Sequence, residues 1–114
     1  MSKNVILSDD KKLHVIYRLE AGCLGPKGVD YIKEFCVFAK SRFDLIDSDF
    51  ILWEILSRDD KALPEIDYKI NHKKLSQAKT EKYLAMLDIN IDEFEEKIHG
   101  RMPDLIEEYF EANK

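Results

Sequence analysis

The stretch from Gly22 to Phe43 constrains the fold most. It opens as Gly22-Cys23-Leu24-Gly25-Pro26-Lys27-Gly28 and continues into the apolar run Val29-Asp30-Tyr31-Ile32-Lys33-Glu34-Phe35-Cys36-Val37-Phe38-Ala39. Three glycines and a proline cannot continue the alternating segment before them, and the residues after them recur at helical spacing. A strand therefore enters this loop and a helix leaves it, over about residues 28–43. Val29, Ile32, Cys36, Ala39 and Phe43 form one stripe that Phe35 and Phe38 widen, so the helix reads as too apolar for the surface, with the rest of the chain packed around it. Asp30 and Glu34 near its start and Lys40 and Arg42 near its end complement the helix macrodipole, about 0.3–1 kcal/mol per well-placed charge.

The segment before the loop, residues 12–20, places Leu13, Val15, Tyr17 and Leu19 on one face and His14, Arg18 and Glu20 on the other, interrupted only by Ile16. That alternation predicts a half-buried strand. Further upstream, residues 5–7 are read as a short edge strand and Ser8-Asp9-Asp10-Lys11 as a turn. Beyond the helix, Asp44, Asp47, Ser48 and Asp49 mark a loop. The nearly continuous apolar run 50–56 (Phe-Ile-Leu-Trp-Glu-Ile-Leu) then predicts a central strand covered on both faces. Residues 57–64 supply a turn, and Glu65-Ile66-Asp67-Tyr68-Lys69-Ile70 alternates strictly, so these two strands are expected to pair as an antiparallel hairpin.

The C-terminal third reads as helical. One helix spans about 76–87 and buries Ala78, Leu84 and Leu87. Asn90-Ile91-Asp92-Glu93 has the form of a capping box, with Ile89 and Phe94 spaced as a hydrophobic staple around it, so a second helix starts near Ile91. Gly100 and Pro103 are an end and a restart signal, while Phe94, Ile98, Met102, Leu105 and Tyr109 continue one stripe straight across them. Two short helices and one kinked helix both satisfy that pattern. The order β-α-β-β-α-α predicts an α+β two-layer sandwich. It has a small mixed sheet of three to four strands, helices packed on it and a right-handed crossover joining the first two strands in parallel. At 114 residues and 45% apolar composition, one domain covering residues 1–114 is expected.

Charge and composition narrow the function classes. A net charge of −5 argues against general binding to nucleic acid or anionic membrane. The N-terminus is too weakly apolar for a signal peptide or membrane span, and two cysteines are too few for a disulfide framework. A cytoplasmic location is expected. His14, His72 and His99 fit no ligand spacing, so neither a metal site nor another cofactor is expected, and no nucleophile-elbow motif supports a catalytic triad. Whether the chain is an enzyme stays open.

Three regions are candidate sites. Gly22, Cys23, Gly25, Lys27 and Gly28 lie where a strand-to-helix loop can hold an anion on its backbone amides, with Cys23 as a reactive thiol at the helix start. Their spacing matches neither the dinucleotide fingerprint nor the P-loop, and a plain glycine turn is the simpler account. Lys69, His72, Lys73, Lys74, Lys79 and Lys82 form a basic patch suited to phosphate or an acidic protein surface. Nucleic acid is disfavoured because few aromatics interleave with it. Met102, Leu105, Ile106, Tyr109 and Phe110 make a wide terminal stripe whose surplus would be buried against a second copy or another protein. The leading expectation is a small interaction or regulatory module, homodimeric or bound to a protein partner. The alternative is a small-molecule or anion-binding protein, or an enzyme, using loop 22–28.

Overall fold

The computed structural model describes residues 7–112. It contains a mixed four-stranded sheet and three helices, an α+β fold: β1 (Leu13–Leu19), α1 (Gly28–Phe43), β2 (Ile51–Ser57), β3 (Ile66–Ile70), β4 (Lys73–Lys74), α2 (Gln77–Met86) and α3 (Ile91–Ala112). The strand expected over 5–7 falls mostly outside the described residues. Leu7 itself is not in a strand, although its amide donates to the Asp49 carbonyl at 3.2 Å. The chain divides into two compact units, Met1–Lys74 with the sheet and α1, and Leu75–Lys114 with α2 and α3.

In the first unit the strand order is β2-β1-β3-β4. β1 pairs in parallel with β2, Leu13 opposite Ile51 through Leu19 opposite Ser57, and antiparallel with β3 through Val15 opposite Tyr68. Two expectations are corrected. β2 and β3 do not form a hairpin, because β1 lies between them. β1 is also the strand covered on both faces, whereas β2 is an edge. An apolar run reports side-chain burial but not which backbone edges are paired. The register shows the difference: Ile51, Trp53 and Ile55 are buried on one face, while Leu52 is half-buried and Leu56 is 38% exposed on the other. Ile16, which breaks the alternation of β1, is buried on that second face between Glu54 and Asp67.

α1 covers the apolar face of the sheet with Ile32, Phe35, Cys36, Ala39 and Phe43. The Phe43 and Trp53 rings meet at 4.8 Å between centroids, and the Trp53 indole N–H donates to the Ile46 carbonyl at 2.8 Å. Burial of each such side chain stabilises by about 1.5–3 kcal/mol. The helix is nevertheless a surface helix rather than a core one: Val29 and Val37 are 78% and 73% exposed, and Phe38 is half-buried beneath the Arg42 guanidinium, 4.7 Å from its ring centre. The opposite sheet face is a lattice of charges. His14 Nε2 lies 2.8 Å from Glu54 Oε1, and Asp67 faces Arg18 at 3.5 Å and Lys74 at 3.9 Å.

The sheet ends in a tight hairpin that sequence reading missed. Asn71 and His72 both have positive φ, 49° and 68°, the signature of a two-residue turn whose twist matches its strands. Asn tolerates that region, which makes it the one local signal for the turn.

In the second unit, α2 starts at Ser76, whose hydroxyl accepts from the Lys79 amide, and buries Thr80 and Leu84. Ala78 and Leu87 are exposed, contrary to expectation; the buried face follows the i, i+4 pair Thr80–Leu84, with the Thr80 hydroxyl donating to the Ser76 carbonyl. Asp88, at φ 64°, closes the helix, with its own amide donating to Ala85 and that of Ile89 to Leu84. That is the Schellman pattern with Asp in the usual glycine position. Asn90 caps α3 as expected, its side chain accepting from the Glu93 amide at 3.1 Å. α3 is one continuous helix across Gly100 and Pro103. A proline inside a helix costs about 3 kcal/mol, and the unbroken buried stripe Phe94, Ile98, Met102, Leu105 and Tyr109 outweighs it. The Arg101–Glu108 ion pair at 2.9 Å bridges two turns of the helix across Pro103.

Two measurements check this account. A Cβ on Gly28 would stand 1.7 Å from the Ala21 carbonyl oxygen, whereas one on Gly22 meets nothing within 4 Å. Gly28→Ala should therefore lower stability in urea by about 1–3 kcal/mol or more, and Gly22→Ala should change it by no more than about 0.5 kcal/mol. Burial, reinforced by the charge of Glu65, raises the Tyr17 hydroxyl to about 12 from 10.0. Below pH 10 both folded and unfolded chains hold that proton and stability is complete. Between 10 and 12 only the unfolded chain releases it, so stability falls by about 1.4 kcal/mol per pH unit. Tyr17→Phe should flatten the loss in that window.

Candidate functional site

The two edges of the sheet differ in ways that matter for binding. β4 is two residues long, and both are lysines. Brevity and lysine are devices that keep a sheet edge from pairing with another chain. Lys69, opposite Lys74, lies on the charged face, and Lys74 pairs with Asp67. Part of the predicted basic patch, Lys69, His72, Lys73 and Lys74, thus forms this hairpin, while Lys79 and Lys82 are exposed on α2.

β2, at the other edge, has none of these devices. It is seven residues long, Ile-Leu-Trp-Glu-Ile-Leu-Ser, with no lysine and no proline, and among the described residues no strand lies beyond it. The Leu13 amide donates to Phe50 and the Arg58 amide to Leu19. In a parallel ladder this phase turns the backbone of Leu52, Glu54 and Leu56 toward β1 and that of Ile55 and Ser57 away from it. Leu56 and, in part, Leu52 carry apolar surface along the same edge. Its single charge, Glu54, is held by His14.

Carboxylates surround both ends of this strand. Asp44, Asp47 and Asp49 precede it and Asp59 and Asp60 follow it, all exposed. The neighbouring cations are largely engaged: Lys40 with Asp44 at 2.8 Å, and Arg58 with Glu20 at 3.2 Å and with the Leu63 carbonyl. Among the described residues, Asp47 and Asp49 have no such cation.

Loop 22–28 is built differently from an open anion cradle. Ala21–Leu24 form a 3-10 turn, and the amides of Cys23, Gly25 and Gly28 donate to the carbonyls of Glu20, Gly22 and Gly25. Gly25 takes a positive φ of 93°, and Gly28 is buried in close approach to Ala21. Lys27, in the cap position of α1, is exposed and its side chain caps nothing. Cys23 is exposed and Cys36 is buried; burial, with a smaller push from Asp59, raises the Cys36 thiol to about 11. Of the predicted terminal stripe, Met102, Leu105 and Tyr109 are buried within the chain, while Ile106 and Phe110 are half-buried.

A depression of about 360 Å³ opens beside the start of β1, lined by Asp9, Lys12, His14, Leu52, Asn71 and His72 among others. Its charges are mixed, and among the described residues no group of three His, Cys, Asp or Glu side chains could hold a metal ion. No helix among them is long and apolar enough to cross a membrane. No known family model matches the chain, and no curated protein or solved structure is significantly similar to it.

Alkylation of the folded protein with iodoacetamide at pH 8 should label Cys23 and leave Cys36 unmodified until the chain is unfolded, since the thiolate is the reactive species. Peptide mapping reads the two sites separately. Equal labelling of both would show that the α1 face opens readily.

Proposed function

We propose that this protein is a small interaction module that binds an extended segment of a partner protein by strand addition along β2. The observation that carries the reading is the contrast between the two sheet edges, one short and guarded by Lys73 and Lys74, the other long, apolar and unguarded. An exposed strand edge offers main-chain donors and acceptors for affinity, and alternate side chains of the added strand supply specificity. Leu52 and Leu56 would meet one row of those side chains. An anion-binding role for loop 22–28 has less support, because three of its amides already have internal acceptors.

The test is selection of extended peptides from a displayed library against the intact protein, followed by binding to variants at each edge. Ser57→Pro removes an outward-directed N–H without touching the ladder to β1, and edge positions of this kind tolerate proline. Ser57→Pro and Leu56→Lys should each weaken the selected peptides by tenfold or more, and Lys73→Ala with Lys74→Ala should leave them within about twofold. Peptides that bind Ser57→Pro as tightly as the parent protein would sink the proposal, as would a selection that enriches nothing.

A further inference from the structure

Resting on that reading, we infer that the segment added to β2 is a basic, alternating apolar strand of another protein rather than a second copy of this chain. Charge distinguishes the two occupants. Asp47 and Asp49 stand before the strand, Glu54 at its centre, and Asp59 and Asp60 after it. Of the nearby cations, Lys40 and Arg58 are drawn off by Asp44 and Glu20, Arg42 lies over the Phe38 ring, and the exposed Lys61 offsets only part of the Asp59–Asp60 charge. A partner strand lying along the whole edge therefore runs between two acidic ends, and lysine or arginine flanking its apolar positions complements both.

The same charges oppose self-pairing. An antiparallel two-fold pair that uses all seven residues puts Ile51 opposite Ser57 and Glu54 opposite Glu54. Because the backbone of Ile55 and Ser57 is the outward-directed set, Glu54 falls at a non-hydrogen-bonded position, where facing Cα atoms approach to about 4.5 Å. Like charges directly opposite one another destabilise a strand pair. The same register sets Asp49 opposite Asp59. Sliding by two residues relieves the central clash only by shortening the paired length at both ends. The chain as a whole, with a net charge of −5, does not repel a basic strand either.

The alternation of the partner follows from the two faces of β2. Residues of the added strand on the α1 side continue the apolar layer that contains Ile51, Trp53 and Ile55. Those on the other side continue the charged layer containing His14, Glu54 and Asp67, where a basic residue beside Glu54 is favoured.

The experiment uses the full chain and two synthetic probes, a nine-residue peptide alternating valine and lysine and its counterpart alternating valine and glutamate, followed by fluorescence anisotropy from 20 to 300 mM salt. The lysine peptide should bind at least about tenfold tighter than the glutamate peptide at low salt, with an advantage that shrinks as salt rises. Asp47→Asn, Asp49→Asn, Asp59→Asn and Asp60→Asn combined should cut its affinity by about tenfold, while Ser57→Pro should abolish it. Asn keeps the acceptor that each side chain offers and tolerates the positive φ of Asp47, so the fold is preserved. Equal binding of both peptides, each lost in Ser57→Pro, would overturn the charge inference and leave strand addition standing. Binding of the lysine peptide that survives Ser57→Pro would overturn strand addition itself. Sedimentation showing a dimer that Ser57→Pro dissolves would replace the foreign strand with a second copy.

Discussion

The approach of Gly28 to the carbonyl of Ala21 fixes how the sheet and its covering helix meet. A side chain of any size there would force the 3-10 turn away from the start of α1. With hydrogen in place of Cβ, the chain leaves β1, turns within eight residues and lays α1 straight back over the apolar face. The consequences pass down the chain. Phe43 arrives against Trp53, the Trp53 indole anchors the Ile46 carbonyl, and β2 enters beside β1 in parallel register. Main-chain proximity at one glycine thus decides the position of a strand that begins more than twenty residues later.

The sheet divides its work between its faces. The α1 side is dry and supplies most of the cohesion of this unit. The other side carries the Arg18–Asp67–Lys74 ion pairs and the His14–Glu54 contact on either side of the buried, apolar Ile16. Asp67, almost fully buried, depends on Arg18 and on the Tyr68 amide for its charge to be tolerated. Isolated surface ion pairs contribute about 0–1 kcal/mol, but an enclosed carboxylate stripped of its partner costs several kcal/mol. This lattice sets register more than it adds stability, because slipping β3 by one residue would carry Asp67 into the dry layer.

Local pattern left open whether the last helix breaks at Gly100 and Pro103, but was enough to place β1, α1, β2, β3, α2 and the start of α3 to within about one residue, and to read the Asn90 cap. Each of these rests on neighbours in the chain: glycines and a proline around Cys23, alternation from Ile66 to Ile70, the carboxamide three residues before Glu93. Strand order was not legible in this way. Nothing in residues 50–56 tells whether the backbone of Ile55 faces another strand, since that depends on β3 choosing β1 over β2. Exposure on helices failed for a related reason. Val29 and Ala78 have the right type for a core but lie off the angle that the neighbouring buried residues select. The β2 edge, on which the proposed binding rests, was hidden because it is a property of pairing rather than of sequence.

The central place of β1 also bears on how the molecule comes into being. Its partners are distant along the chain, Ile51 for Leu13 and Tyr68 for Val15, and the one close pairing in the sheet is the short Ile70–Lys73 hairpin. Sheets made of such distant contacts form slowly, because loop closure must precede the reward of pairing. During synthesis β1 emerges first and waits, with apolar side chains on both faces, until the chain has grown past Ile70. The strand that ends most enclosed is therefore the one left longest without shelter, and a molecular chaperone meeting this nascent chain would find Leu13–Leu19 before anything else in the sheet.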